Sequence, residues 1–187
     1  MPEWAERGTV LIDIARGAIG EHLGLVRARE HGEFWLALRA ASFVTLHLGE
    51  DLRGCIGSID PRRPLGEDVA SNALAAAFSD SRFPPLTAGE YPSVCVEVSV
   101  LSPRTPLLAA SEAEAAARLR PGVDGVYLEF QGQSATFLPQ VWQTLPDPVE
   151  FLEALRHKAR LPARFWDPAI RITRYTVEKY GDGRAAH

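Results

Sequence analysis

The sequence predicts an α+β fold in which helices cover a mainly antiparallel or mixed sheet. Two observations predict this class. Apolar residues recur at helical spacing in some segments of the chain and alternate with polar residues in others. Several of the alternating segments are joined by turns too short to hold a crossover helix, and such turns connect antiparallel strands.

The first half of the chain is predicted to contain two helices around a β-hairpin. Residues 9–23 carry apolar side chains at helical spacing. Residues 42–48 alternate, and the turn at 49–51 returns the chain as a second strand through residues 52–59. Residues 64–78 begin with a proline suited to the first helical position and carry two acids in the first turn, where the helix dipole favours them.

The second half is predicted to contain two more helices and four more strands. A capping box of Ser111 and Glu114 opens one helix, and Asp147-Pro148 opens the other. The predicted strands are residues 93–101, 125–130, 134–142 and 169–177. We expect residues 1–180 to form a single domain, which proline-rich junctions near 84–92 and 103–106 divide into two subdomains, and residues 181–187 to form a flexible tail.

Composition excludes several classes of function. A net charge of −4 and a pI near 5.7 argue against nucleic-acid binding, which needs a basic patch. No apolar run approaches the roughly 18 residues of a membrane span, and the N-terminus lacks the pattern of a signal peptide. With only Cys55 and Cys95 there is no disulfide framework, so we expect a cytoplasmic protein with reduced thiols. No phosphate loop, dinucleotide fingerprint or metal-ligand spacing is present, and we predict no cofactor.

Residues 52–57, LRGCIG, place a cysteine between two glycines. In an extended strand, period-two alternation would put Arg53 and Cys55 on one face, about 7 Å apart. A guanidinium at that distance favours the thiolate, and Gly54 and Gly57 leave room for approach to the sulfur. The simpler interpretation is that Cys55 is a small buried hydrophobe. Both interpretations stay open on the sequence alone.

Two further groups of polar residues are candidates. Glu97 lies on the face of its strand away from the valines, and there it could pair with Arg53 or act as a general base, the ion pair being the favoured role. Asp80 and Arg82 precede two prolines that stiffen the loop. On composition alone, this loop is a helix stop with a local salt bridge.

Eight motifs occur in order between residues 43 and 180: FVTL, LRGCIGS, DSRFPPL, VSVLSP, VDGVYLE, ATFLPQVW, LRHKA and TRYTVEKY. In this set the chain resembles the AMMECR domain family, called AmmeMemoRadiSam system protein A in bacteria and archaea, with LRGCIG as the family signature. The resemblance implies two unequal subdomains around a cleft that bears the LRGCIG strand. It implies no settled activity. It does imply two partners, a Memo-type protein and a radical S-adenosylmethionine (SAM) enzyme, whose genes accompany those of the family.

The resemblance also implies a set of site residues, all but Glu97 within four of these motifs. They are Arg53, Gly54, Cys55 and Gly57, then Asp80, Arg82, Phe83 and Pro84, then Glu97 and Ser99, and finally Lys158. Arg160 departs from the family pattern, in which a glycine is common at this position. Two functions follow as hypotheses. In the first, the protein is an enzyme component that uses Cys55 as a nucleophile or carrier, with Arg53 and Glu97 assisting. In the second, it is a non-catalytic module whose arginines bind a small anion or a partner protein.

Overall fold

The structure is a computed structural model that describes residues 4–162 and 165–182. Within these residues, four α-helices and two four-stranded sheets form the α+β fold that the sequence predicts. The chain divides into two compact units, which are the described parts of Met1–Leu101 with Glu178–His187, and of Ser102–Val177. None of the described helices has both the length and the apolar character needed to cross a membrane.

The elements lie close to the predicted segments. The helices are α1 (Trp4–His22), α2 (Leu65–Phe78), α3 (Glu112–Arg118) and α4 (Pro148–Lys158). The strands are β1 (Ala41–Leu48), β2 (Asp51–Gly57), β3 (Val94–Leu101), β4 (Thr105–Pro106), β5 (Gly125–Phe130), β6 (Gln133–Phe137), β7 (Arg171–Tyr175) and β8 (Val177–Gly181).

The first unit is a sheet with the strand order β2-β1-β3-β8, covered on one face by α1 and α2. Strands β1 and β2 form the predicted hairpin, and β1 pairs antiparallel with β3 on its other side. Val44 and Leu46 of β1 and Val96 of β3 are buried against the helices, where Leu11 and Ala15 of α1 join them. Alternation therefore sends the residues between them, on both strands, to the opposite face of the sheet.

The second unit is a sheet with the order β4-β7-β5-β6, packed with α3 and α4. Strands β5 and β6 form the predicted hairpin, and Gln131 and Gly132 at its turn have φ values of 47° and 80°. Both helices begin as predicted at a side-chain cap. Ser111 accepts a hydrogen bond from the backbone N–H of Glu114, and Asp147 caps α4 through two backbone N–H groups.

Three boundary predictions were wrong. The strand predicted at 134–142 ends at Phe137, because a short 3₁₀ helix, Pro139–Gln143, begins there with a proline that cannot donate to a sheet. The strand predicted at 169–177 is two strands, β7 and β8, in different sheets. Thr176 separates them, and its backbone N–H and C=O both bond to Ser102. Finally, Pro64 precedes α2 as its N-cap residue instead of occupying the first helical position.

The predicted tail begins at Gly181, which ends β8. Residues 183–187 lie outside the described residues. The single-domain boundary at residue 180 and the cleft between subdomains stay predictions.

Candidate functional site

Cys55 lies on β2, an edge strand of the first sheet, and two side chains hold its backbone. The backbone N–H of Cys55 donates to Oδ2 of Asp80 at 2.9 Å. Its carbonyl oxygen accepts from Nη2 of Arg82 at 3.2 Å. An edge strand normally leaves such groups to solvent. Here Asp80 and Arg82 supply the acceptor and the donor that a neighbouring strand would supply.

Asp80 and Arg82 are also bonded to each other. The Nε and Nη2 atoms of Arg82 donate to the two carboxylate oxygens of Asp80 at 2.9 and 2.6 Å, a bidentate arrangement. Asp80 is buried, whereas the Arg82 side chain is 54% exposed. The hydrogen bonds from Arg82, and after them the one from the Cys55 N–H, hold the pKa of Asp80 well below its usual range although burial opposes them. This loop therefore carries a fixed negative charge under a half-exposed guanidinium.

The sulfur of Cys55 has a hydrogen-bond donor of its own. The hydroxyl of Thr45, which lies opposite Cys55 on β1, donates to Sγ at 3.3 Å. Cys55 is half-buried, so it is not sealed among aliphatic side chains. The hydrogen bonds that Arg82 donates to Asp80 raise the pKa of Arg82 above its ordinary value, and the nearby Cys55 acts in the same direction as a smaller cause. The guanidinium of Arg82 therefore lies within electrostatic range of the thiol.

A row of polar side chains continues from Cys55 across the face of the sheet opposite the helices. Thr45 lies between Cys55 on one side and Glu97 of β3 on the other. The carboxylate of Glu97 contacts Nζ of Lys179 on β8 at 3.3 Å. We call Cys55, Thr45, Glu97 and Lys179 the polar row. The row presents a thiol, a hydroxyl, a carboxylate and an ammonium on neighbouring strands. Adjacent strands in a sheet lie roughly 5 Å apart.

The second cysteine is out of reach of the first. Cys95 lies on β3 opposite His47, so β1 separates it from Cys55. Two strand spacings amount to roughly 10 Å, which exceeds the Cα separation of about 7 Å beyond which no disulfide forms without backbone movement. A disulfide between Cys55 and Cys95 is therefore excluded in this arrangement.

The prediction of regular alternation, which would put Arg53 and Cys55 on one face, was wrong. The β1–β2 register shifts between Leu46 and His47, and Arg53 is the β2 residue left without a Cα partner. This bulge interrupts the period-two alternation on which the prediction depended. The guanidinium of Arg53 instead donates to Glu90, from Nε at 2.9 Å.

The predicted pairing of Arg53 with Glu97 was also wrong. Strand β3 adjoins β1 and β8 and does not adjoin β2, so Glu97 pairs with Lys179. The true partner of Arg53, Glu90, lies in the loop before β3, and the Arg53 side chain is buried there. Hydrogen bonds from Arg53, and then from the Thr87 backbone, lower the pKa of Glu90 to about 2.

The two glycines of LRGCIG are explained by close packing on opposite sides of β2. A Cβ on Gly54 would lie 2.2 Å from the carbonyl oxygen of Ala76 in α2. A Cβ on Gly57 would lie 2.2 Å from the ring of Phe43 on β1. The glycines therefore let β2 approach its neighbours closely at two positions that flank Cys55.

The remaining predicted residues have separate surroundings. Phe83 lies under Arg82, whose guanidinium carbon is 5.4 Å from the ring centroid. Ser99 is buried opposite Phe43 and is not part of the polar row. Lys158 belongs to the second unit, where its Nζ donates to the Thr136 carbonyl at 2.9 Å. The structure therefore brings Asp80 and Arg82 to Cys55, and it gives Ser99 and Lys158 other partners.

Two residues at the site were not predicted. Extending the hairpin register from the Leu48–Asp51 pair would place Thr45 opposite Gly54, and only the one-residue bulge at Arg53 brings it opposite Cys55. No sequence signal marks Glu90, which reaches Arg53 only through the path of the loop after α2. Among the described residues, no group of three histidine, cysteine or acidic side chains could hold a metal ion.

Comparison with known proteins places this geometry in a family. The AMMECR1 family model matches residues 12–180. The chain is 39% identical over 180 residues to a protein of Methanothermobacter thermautotrophicus, covering 92% of this chain and 93% of that protein. It is 34% identical to protein MJ0810 of Methanocaldococcus jannaschii, with 92% and 89% covered. The crystal structure of uncharacterized protein PH0010 from Pyrococcus horikoshii matches with a TM-score of 0.81 at 33% identity, over 96% of this chain and 93% of that one. The chain therefore belongs to the AMMECR1 family.

Proposed function

We propose that this protein is the thiol-bearing component of a three-part system with a Memo-type protein and a radical SAM enzyme, and that Cys55 acts in it as a nucleophile or acyl carrier. The family resemblance supports the two partners. The surroundings of Cys55 support the thiol chemistry.

One observation carries the proposal. Asp80 and Arg82 fix the N–H and the C=O of the same residue, Cys55, while that residue keeps part of its surface open. A cysteine that served only as a core hydrophobe would not need two side chains to fix its backbone. A nucleophile does need to be fixed, because reacting groups must be held within about 0.5 Å of the productive geometry.

The proposed step is nucleophilic. The thiol proton leaves to solvent, and the Cys55 thiolate forms a bond to an electrophilic carbon of the substrate. The leaving group departs with the electron pair of the bond that breaks. The Thr45 hydroxyl donates a hydrogen bond to this sulfur, and the Arg82 guanidinium binds the carbonyl of the same residue. Because the Glu97 carboxylate already contacts Lys179, recognition of a charged group on the substrate suits it better than proton abstraction.

Alkylation kinetics test the thiol. In a Cys95→Ser background, iodoacetamide should label Cys55 in the native protein, and mass spectrometry measures the rate. Thr45→Val should slow labelling about two- to threefold, because it removes a hydrogen bond of about 1 kcal/mol to the sulfur while a less stabilised thiolate is a better nucleophile. Thr144→Val, at an exposed position of the second unit, is the matched control and should leave the rate unchanged. A native protein that resists labelling until it unfolds would contradict the proposal.

A second candidate function rests on Arg82. Among the described residues no acceptor contacts its Nη1, and the side chain is half-exposed, so it could bind a small anion with Cys55 serving as packing. Complementation of a strain lacking the gene separates the two functions. Thiol chemistry predicts that Cys55→Ser fails. A Cys55→Ser variant that complements fully, beside an Arg82→Ala variant that does not, would support anion recognition instead.

A further inference from the structure

The second unit contains a cavity of about 710 Å³ that takes no part in the site around Cys55. Among the residues that the structure describes, its walls come from the segment after β4, from α3 and from β7 with the loop before it. Small-molecule sites have volumes of roughly 300–1,000 Å³, so the cavity is large enough for a ligand of two or three rings.

The interior of the cavity is apolar. Leu107 and Ile172 line it and are themselves buried, and Ile170 and the indole of Trp166 complete this wall. Leu107 is fixed there because its backbone N–H donates to the Ile172 carbonyl at 2.9 Å. A wall of this composition gains free energy by removing apolar ligand surface from water.

The rim of the cavity carries charged side chains, and these differ in whether another group already pairs with their charge. Arg118 donates to the Leu108 carbonyl at 2.6 Å and pairs with Glu114, whose carboxylate accepts from the Ala110 N–H at 2.8 Å. Those two charges therefore compensate each other and pin the segment 108–110.

Arg171 is the rim charge that remains available. Its side chain is 79% exposed, and its ion-pair contact among the described residues is a long one of 3.6 Å to Glu129. An exposed pair at that distance contributes little, so an anionic ligand group could take the place of the Glu129 carboxylate.

From these observations we infer that the cavity is a binding site for a small amphipathic anion, with an apolar body against Trp166, Ile170 and Ile172 and its negative group at Arg171. The site is distinct from Cys55, and the inference stands whether or not the proposed thiol chemistry is correct.

Two fluorescent probes test the inference with the full chain, namely anionic 1-anilinonaphthalene-8-sulfonate and neutral N-phenyl-1-naphthylamine. Both should bind saturably with one site per chain. Arg171→Glu should weaken the anionic probe about tenfold, because it turns an exposed attraction into a repulsion, and should leave the neutral probe unchanged. Arg62→Glu, an equally exposed charge reversal in the first unit that lies outside the cavity lining, is the matched control and should change neither probe.

A cavity-filling variant gives an independent test. Ala109 lines the cavity and is half-buried, so Ala109→Trp should abolish binding of both probes if the variant folds. Cys55→Ser should leave both affinities unchanged. The inference is overturned if neither probe binds saturably, if Arg171→Glu weakens both probes equally or neither, or if a folded Ala109→Trp protein binds as the wild type does.

Discussion

Gly54→Ala should be among the most damaging single-methyl changes in the first unit. The added Cβ would lie 2.2 Å from the carbonyl oxygen of Ala76 and 3.0 Å from its carbonyl carbon. Both atoms belong to the backbone of α2, which is fixed by its own hydrogen bonds and by the core beneath it. Relief therefore requires that the helix and β2 move apart, since no side chain can rotate away.

The expected loss is about 3 kcal/mol in the free energy of unfolding, at the upper end for an overpacked core. Gly57→Ala is an instructive comparison, because its Cβ meets the ring of Phe43, a half-buried side chain that can turn. We expect it to cost only about 1 kcal/mol. Gly66→Ala is the matched control. Its Cβ meets the Leu36 side chain at an ordinary 3.5 Å, so it should be neutral or slightly stabilising.

Urea denaturation at pH 7, followed by circular dichroism and tryptophan fluorescence, measures the three free energies. Hydrogen exchange of the α2 and β2 amides shows whether the loss is local to their contact. From the most stable to the least stable, the predicted order of the variants is Gly66→Ala, then Gly57→Ala, then Gly54→Ala. A Gly54→Ala protein as stable as the Gly66→Ala protein would refute the reasoning, because the close approach of strand to helix could not then be real.

Two carboxylates give further predictions. The pKa of Glu90 falls from 4.5 to about 2 beside Arg53. The stability that the ionised Glu90 carboxylate contributes is therefore fully present above pH 4.5 and is lost as the pH falls toward 2. Glu90→Gln should therefore lower the free energy of unfolding by about 2 kcal/mol at pH 7 and reduce its fall between pH 4.5 and 2, as measured by urea titrations. Glu153→Gln, at an exposed position, should do neither. Asp68 is buried and accepts hydrogen bonds from several surrounding donors, so Asp68→Ala should cost about 3 to 5 kcal/mol in the same assay. The neighbouring exposed Glu67→Ala is its control, and equal losses from the two variants would contradict this account.

Local patterns in the sequence were sufficient to predict most of the elements. The alternation of β1 and β3 and the caps at Ser111 and Asp147 depend on residues close together in the chain, and those elements lie where they were predicted. The end of β6 was missed for a local reason, Pro139, but other predictions went wrong where a boundary depended on a distant partner. The break at Thr176 is an example, because its backbone bonds to Ser102, which is 74 residues away.

The candidate site was likewise predicted only in part from the sequence. The sequence by itself singled out Cys55 between two glycines and the stiff loop that carries Asp80 and Arg82. It could not pair Arg53 with Glu90, because a one-residue bulge in β2 breaks the alternation and leaves no trace in a pattern of period two. Only the tertiary structure brings Asp80, in the loop after α2, onto the backbone of Cys55, because packing of α2 against β2 at Gly54 determines where that loop lies.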